Sequence, residues 1–560
     1  MKPIKLHNTI IWVTLFSSLL FFVAADLSPV YAFDSSLPNN KFGIHLAQPQ
    51  EDDILKARDL VNSQGGDWGY ITLVIQEDDR TKEKWQGIFD KLRELHLIPI
   101  IRLATKPEGP QWRRPVPEDV DSWVNFLSSL NWVVKDRYVI LFNEPNHALE
   151  WGGSVDAVNY GEIAKLFAQK LRESNTDYII MLAGLDASAP SQPPSYQDEG
   201  IYLRQAVQTI GVDSFNELFG GLSSHSYANP GFVGPPIAFG KGTVRTYVWE
   251  QSLLGELGIK KLPVFITETG WDGNALSRAI VAQYTKTAFE NVWLPDDQVV
   301  AVTPFILNYQ GEPFANFSWA MMDNKDFYPQ YYITKEMPKL AGAPARIDKG
   351  EAEFDLPKEL LVGSIYRFPF TIKNTGQTIW DKDEGYSLEV EGGGRAYFIP
   401  DFSKIKPMEE RQLYLYAQTI QEVPTQKAFT ISLFKGSQKL WQIERWSFTI
   451  EPPPDLSFRV RFFPPMFTDS DEYEIQIFDD REQLVYKQQK VSVAKSTGLI
   501  KRVPNVLIDR KYRIVIMRPN YAPRQTFVIF QQGLNEVVFP WMLPVDFNVD
   551  GRYDGNDIRA

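Results

Sequence analysis

Residues Tyr138 to Asn146 read YVILFNEPN. Tyr138 to Phe142 are β-branched, aliphatic or aromatic without a break, the composition of a short strand buried on both faces. The run stops at Asn143, Glu144 and Pro145, and a proline cannot extend the pairing. A strand therefore delivers a carboxylate to the C-terminal edge of a sheet. In an α/β barrel that edge is where active sites are built.

Outward from this stretch, the same shape recurs. Pro263 to Ile266 (PVFI) is apolar and is followed by Thr267, Glu268, Thr269, Gly270 and Trp271. Between the two lies Gly221 to Tyr227 (GLSSHSY), a weaker strand ending in His225 and Tyr227. Two carboxylates facing each other across a barrel opening are what glycoside hydrolysis requires.

The surrounding sequence alternates strand and helix patterns. Strands are predicted at Phe42–Leu46, Trp68–Ile75, Leu97–Leu103, Tyr138–Phe142, Tyr178–Leu182, Gly221–Ser224, Val264–Ile266 and Val299–Leu307. Helices fall between them at Glu51–Asn62, Trp85–Leu95, Val120–Leu130, Tyr160–Arg172, Tyr202–Ile210, Val244–Leu257 and Arg278–Trp293. The fold class this predicts is α/β, a (β/α)8 TIM barrel over residues 33–342. A doubly wound open sheet is the alternative, and no phosphate-cradling glycine fingerprint supports it.

Ala341 to Ala345 (AGAPA) reads as a linker, after which the period changes. Short β-rich runs at Tyr366–Ile372, Leu413–Ala417, Phe429–Phe434 and Trp446–Ile450 predict an immunoglobulin-like β-sandwich over 343–452. A second linker, Glu451 to Asp455 (EPPPD), precedes strands near Ser457–Phe462, Glu472–Phe478, Tyr512–Met517 and Phe527–Phe530. These predict a second sandwich-like domain over 453–543, followed by a distinct tail at 544–560.

Composition narrows the function. At 560 residues the chain is too long for one ordinary domain. A net charge of −12 argues against nucleic acid or an anionic membrane as the main partner. The 15 Trp and 24 Tyr suit stacking on sugar faces as well as aromatic cores. With no cysteine, disulfides, cysteine catalysis and thiolate metal sites are excluded. Lys2 and Lys5, the apolar run Ile10–Ala25 and Val30-Tyr31-Ala32 read as a secretory signal peptide over 1–32, cut after Ala32. The expected location is extracellular, with cell-surface attachment as a variant of it and no membrane contact after signal removal.

In the tail, Asp546, Asn548, Asp550, Asp554 and Asp557 hold positions 1, 3, 5, 9 and 12 of a loop with Gly551 at position 6. That is the EF-hand spacing for calcium, and the carbonyl of Arg552 would supply position 7. No cofactor is expected for catalysis itself.

Taken together, Asn143-Glu144-Pro145, His225-x-Tyr227 and Glu268, each at a strand end and in that order, resemble clan A of the glycoside hydrolases, the retaining (β/α)8 barrels. The resemblance spans roughly residues 40 to 340. It implies Glu144 as acid/base, Glu268 as nucleophile, Asn143 on the sugar 2-hydroxyl and Arg102 near the nucleophile. Clan members often end strand eight in Trp. Here Leu307 is followed by Asn308 and Tyr309, with Trp319 in the next loop as a substitute. Trp112, Trp151 and Trp271 are candidate sugar platforms, and Asn308, Asp186 and Asp272 further polar candidates. Asn374-Thr375-Gly376 with Trp380 resembles immunoglobulin-like accessory domains. The tail resembles the first repeat of a dockerin, which implies a cohesin-type scaffold as partner in a longer form. The implied function is that of a secreted retaining β-glycoside hydrolase acting on a plant- or microbe-derived β-linked poly- or oligosaccharide. A transglycosylase with the same intermediate and a non-catalytic carbohydrate-binding scaffold remain open at this point.

Overall fold

The computed structural model describes residues 33, 35–419, 425–465, 469–546 and 555. The expected signal peptide, residues 1–32, lies outside them, as do Asn548, Asp550, Gly551, Arg552, Asp554 and Asp557 of the expected calcium loop. Asp546 is described; it is buried and forms an isolated bridge to Asn520. Among the described residues no helix is long and apolar enough to cross a membrane.

Eight strands run parallel: β1 (Gly43–His45), β2 (Gly69–Gln76), β3 (Leu97–Ala104), β4 (Arg137–Leu141), β5 (Tyr178–Leu182), β6 (Leu222–His225), β7 (Val264–Glu268) and β8 (Val299–Val302). Hydrogen bonding orders them β1-β2-β3-β4-β5 in one run and β8-β7-β6 in the other. Two links close the ring. Phe42 bridges Val302 in parallel, and the Gly220 N–H donates to the Ile180 carbonyl at 3.0 Å. Closure leaves no open sheet edge, and a parallel ladder obliges each strand to be followed by a long crossover.

Those crossovers are helices: α1 (Glu51–Val61), α2 (Lys82–Glu94), α3 (Val120–Ser129), α4 (Ala157–Ser174), α5 (Glu199–Ile210), α6 (Val212–Leu218), α7 (Thr246–Glu256) and α8 (Arg278–Ala288), with α9 (Pro329–Glu336) after β8. Their starts are chemically marked. The side chains of Asp156, Asp198 and Ser277 accept the backbone N–H of Asn159, Ile201 and Ile280, and α1 opens with three acidic residues against its positive end. Short α6, α9 and the hairpin Pro107–Glu108/Gln111–Trp112 are additions to the sequence reading. The expected helix Arg278–Trp293 changes to a wider π turn at Phe289–Trp293. Strand eight, expected to reach Leu307, stops at Val302, and residues 303–307 turn away toward the C-terminal end of the ring.

By its contacts the chain divides into two compact units. One takes the described residues up to Arg80, Ile100–Asn125 and Asp136–Gly342; the other takes Thr81–Pro99, Phe126–Lys135 and the described residues from Ala343. The second unit holds two hydrophobic clusters. The first lies between two four-stranded sheets built from β9 (Gly350–Phe354), β10 (Glu359–Leu361), β11 (Ile365–Asn374), β12 (Tyr386–Glu391), β13 (Tyr397–Phe398), β14 (Glu410–Gln418), β15 (Thr425–Lys435) and β16 (Gln438–Glu451). Period-2 burial along β11 puts Tyr366, Phe368, Phe370 and Ile372 into this core with Trp380. The Asn374-Thr375-Gly376 motif is a buried turn: the Asn374 amide donates to the carbonyls of Thr378 and Ile405 and accepts from the Gly376 N–H.

The second cluster lies on one seven-stranded sheet from β17 (Asp455–Arg459), β18 (Ser470–Phe478), β19 (Leu484–Ala494), β20 (Thr497–Ile500), β21 (Lys511–Arg518), β22 (Tyr521–Ile529) and β23 (Leu534–Val538). Its order is β22-β21-β18-β19-β20-β17-β23. Where a sandwich predicts two separate sheets, the ladder here is continuous. β20 and β23 are only four and five residues long, and β19 is interrupted by the polar run Lys487–Lys490, so none of the three reads as a strand from composition.

One pair in the first unit has a measurable cost. Glu199, at the start of α5, and Glu250, on α7, are 0 % and 2 % exposed. Burial first, then the charge of Glu250, raises the Glu199 carboxyl, and burial likewise raises Glu250; both Glu199 oxygens and one Glu250 oxygen are buried without a hydrogen-bond partner. Both carboxyls therefore hold a proton more readily than a charge. Their proton affinity is higher folded than unfolded, so their contribution is fully present below the unfolded range and is lost as pH rises. Scanning calorimetry of wild type should show the melting temperature falling from mildly acidic to alkaline pH. In Glu250→Gln that fall should be shallower, and parallel slopes would refute the raised proton affinity of this pair.

Candidate active site

The C-terminal ends of the eight strands enclose a cavity of about 490 Å³. Its lining comes from every strand end: His45 and Gln48 after β1, Gln76 on β2, Arg102 and Thr105 on and after β3, Asn143 and Glu144 after β4, Asp186 after β5, Tyr227 after β6, Glu268 on β7, and Phe305 after β8. Ala47, Val74, Trp112, His147, Glu150, Phe232, Tyr309, Phe314 and Phe317 also line it.

At the centre is Glu268, the last residue of β7 and only 7 % exposed. One carboxylate oxygen accepts from the Arg102 guanidinium at 2.5 Å, and the other accepts from the Tyr227 hydroxyl at 3.0 Å. His45 Nδ1 stands 3.7 Å from the first oxygen and His225 Nδ1 stands 3.8 Å from the second. Burial pushes this carboxyl up, but His225, Arg102, His45 and the Tyr227 bond outweigh it and bring it down to about 2. Glu268 is thus held ionised. His45 behaves oppositely: burial, helped by Arg102 and His225 against Glu268, lowers it to about 3, so the ring is neutral at ordinary pH.

Glu144 is placed by an unusual backbone. Phe142 and Glu144 have φ of +73° and +30°, left-handed values that non-glycine residues seldom adopt. Such geometry costs on the order of 1–3 kcal/mol per residue and persists only where neighbours enforce it. Here the Glu144 N–H donates to the Gly184 carbonyl at 3.2 Å and the His147 N–H to the Glu144 carbonyl at 2.9 Å. The Phe142 ring packs edge-on against Trp151 and Phe167. The Glu144 side chain is 21 % exposed, against 10 % for Glu268, and one of its oxygens lies 2.7 Å from His225 Nδ1. Burial lowers the affinity of His225 for its second proton, and the charges of Glu268 and Glu144 with the Glu144 bond raise it further, for a net rise.

One donor atom each from Glu144, His225 and Glu268 lie within 4.8 Å of one another. Oxygen and imidazole donors so close could also ligate a cation. The Arg102 guanidinium already bound to Glu268 disfavours one. Two carboxylates at this spacing, one ionised and clamped, one more open and bonded to an imidazole, fit attack and proton transfer on a single centre.

The expected residues Arg102, Asn143, Glu144, Tyr227 and Glu268 all line the cavity, and so do Trp112 and Asp186; His225 contacts both carboxylates from behind. Five expectations are corrected. Trp151 is fully buried, its indole donating to Asn159 while its ring braces Phe142. Trp271 is 3 % exposed, donates to the Gly234 carbonyl and tilts against Trp293 inside the wall. Asn308 donates to Asp53 and Asn324 away from the cavity. Asp272 bonds the N–H groups of Asn274 and Ala275 in a turn, and Trp319 is buried rather than lining the cleft. The strand-eight aromatic is Phe305, edge-on to His45 at 5.0 Å.

Sequence reasoning missed His45, Glu150 and a wall of phenylalanines. Phe232, Phe317 and Tyr227 meet edge-to-face at 5.1–5.7 Å, and Phe305 and Phe314 extend the cluster. His45 was findable, being a polar residue closing an apolar strand, like Glu268.

No protein-family model matches the sequence, and a search of curated proteins finds no match either. Solved structures do match. An endo-β-1,4-glucanase from Xanthomonas axonopodis pv. citri is 15 % identical over 53 % of this chain and 98 % of its own, with a TM-score of 0.37. A family 51 α-L-arabinofuranosidase from Bifidobacterium longum is 10 % identical over 88 % and 97 %, TM-score 0.36. A β-1,4-D-mannanase from Cryptopygus antarcticus is 9 % identical over 52 % and 86 %, TM-score 0.33. At such scores these likenesses carry no weight beside the geometry of the site.

Gly184 gives a direct test of that geometry. A Cβ there would stand 2.2 Å from His225 Cδ2. Gly184→Ala should push the imidazole off Glu144 and lower turnover on the order of 10²-fold, with circular dichroism and melting close to wild type. Unchanged turnover would mean that His225 does not position Glu144.

Proposed function

We propose that this chain is a retaining β-glycoside hydrolase acting on a β-linked poly- or oligosaccharide. The observation that carries this reading is the approach of a Glu144 oxygen and a Glu268 oxygen to within 4.8 Å. Retaining enzymes hold their carboxyl groups about 5–5.5 Å apart, whereas inverting ones need about 6.5–9.5 Å to seat a water between them.

Glu268 attacks the anomeric carbon. The bond to the leaving oxygen breaks as that oxygen takes the proton of Glu144. Glu144, now a base, removes a proton from water, which attacks the same carbon and expels Glu268. Two inversions restore the starting anomer. Arg102 and Tyr227 keep the nucleophile ionised and aimed, and Asn143 presents an amide to the sugar beside it. A non-catalytic scaffold would leave the buried charge of Glu268 and the strained backbone at Glu144 without a task. Export of a chain beginning at Phe33 and calcium binding by Asp546 to Asp557 belong to the same proposal. N-terminal sequencing of exported protein and calcium calorimetry test them.

The mechanism is separable by mutation. On an aryl β-glycoside with an activated leaving group, Glu144→Ala should still form the glycosyl-enzyme and then stall. Azide should revive it and give a β-glycosyl azide by nuclear magnetic resonance. Glu268→Ala should form no covalent intermediate. Azide rescue of Glu268→Ala with the same retained anomer, or full activity in both variants, would overturn the assignment.

A further inference from the structure

The cavity has two halves of different chemistry. The ends of β1 to β5 bring hydrogen-bonding side chains to it, among them Gln48, Gln76, Arg102, Thr105, Asn143 and Asp186. The ends of β6 to β8 bring rings: Tyr227, Phe232, Phe305, Tyr309, Phe314 and Phe317. Among the described residues lining this second half, the only other side chains are Ile306 and Glu268, and the Tyr227 hydroxyl already donates to Glu268 at 3.0 Å. A sugar carries hydroxyls all round its ring, and each one buried there without a partner is a net loss.

Nor do these rings make a sugar platform. Stacking on a sugar face needs a flat ring presented broadside. Here neighbouring rings meet at interplanar angles of 66–88°, with centroids 5.1–6.1 Å apart. The result is a ribbed apolar wall. It runs outward from Phe317, 7 % exposed, to Phe314, 41 % exposed. The backbone holds Phe232 in this wall against its own preference. Its φ of +59° is left-handed, as is the +64° of Gly231 before it. The Asp272 N–H fixes the turn by donating to the Phe232 carbonyl at 3.0 Å, and the Trp271 indole donates to the Gly234 carbonyl at 2.8 Å. Non-glycine residues keep such a conformation only where their surroundings enforce it, and they gather at ligand sites.

We propose that this wall is the leaving-group subsite, and that the preferred substrate carries an alkyl aglycone on its saccharide in place of a further sugar. The proposal rests on the glycosidase reading and narrows its substrate. Whatever lies on the wall touches Tyr227, which bonds Glu268, so it is part of the substrate. The part retained on Glu268 is a sugar and has the polar half of the cavity for its hydroxyls. The apolar part is then the group that leaves. The anomeric C–O bond breaks, its oxygen takes the Glu144 proton, and an apolar alcohol departs.

Two arms test this. The first needs no turnover: calorimetry with methyl and hexyl 1-thio-β-glucoside, whose sulfur link resists hydrolysis. Hexyl should bind about tenfold or more tightly than methyl in wild type, since a fully buried methylene is worth up to about fourfold. Phe232→Ala and Phe314→Ala should close most of that gap, and Phe232→Leu should keep it. Phe314→Ala, at an exposed position, keeps the test if Phe232→Ala fails to fold. Equal or undetectable binding of the two thioglycosides, or a gap that survives the alanine variants, overturns the subsite. The second arm is kinetic, on the glycone that a screen of aryl β-glycosides selects. Along the O-linked methyl-to-hexyl series kcat/KM should climb in wild type, exceed that of the disaccharide with the same glycone, and flatten in Phe314→Ala. A flat series, with the disaccharide the better substrate, would make the wall a sugar subsite and overturn the proposal. If wild type cleaves no β-glycoside, the glycosidase reading fails while the binding arm still decides the apolar subsite.

Discussion

A carboxylate buried in the centre of a closed barrel is the constraint on which the rest of this site depends. Left alone, the charge of Glu268 would be expelled from such a place or neutralised by a proton. It stays because Arg102 and Tyr227 each take one of its oxygens, and both arrive from different strand ends. The parallel ring is what makes that convergence possible, since every strand presents its last residue to the same opening. Arg102 then has a second duty. By donating to Asn143 as well as Glu268, it ties the position of the residue before Glu144 to the position of Glu268.

The two carboxyls reach their states by different routes. Glu268 is buried and clamped by Arg102 and Tyr227; Glu144 is more open and touches one imidazole. His225 stands behind both, and Gly184 leaves the space in which it does so. The β-rich unit is built on a different principle, with alternating burial feeding two separate cores, and its conspicuous Asn374 motif proves to be a satisfied structural turn.

Much of this was legible in the residues. All eight barrel strands sit where apolar runs put them, because strands buried on both faces advertise themselves by composition. The residues closing those runs, Arg102, Glu144, His225 and Glu268, were legible for the same reason. What composition could not give was the direction of a side chain a few residues past a strand. Trp151 and Trp271 lie in the right segments and turn inward, where large rings find more apolar contact than at the rim. The cleft wall was instead furnished by Phe232, Phe305, Phe314 and Phe317, ordinary core residues in sequence whose exposure depends on loop paths. Glu150 had no signal at all, since it reaches the cavity lining only through the short turn Ala148–Glu150.

The left-handed backbone at Glu144 has a wider consequence. The proposed acid/base, placed on a conformation that only glycine adopts freely, sets activity and robustness against each other at one codon. Selection for heat tolerance alone would favour glycine there and abolish the proposed chemistry. Selection for catalysis must instead keep Gly184, Phe142 and Trp151 as the scaffolding of a deliberately uncomfortable residue. Directed evolution of this barrel would therefore find its easiest stabilising step at the position it can least surrender.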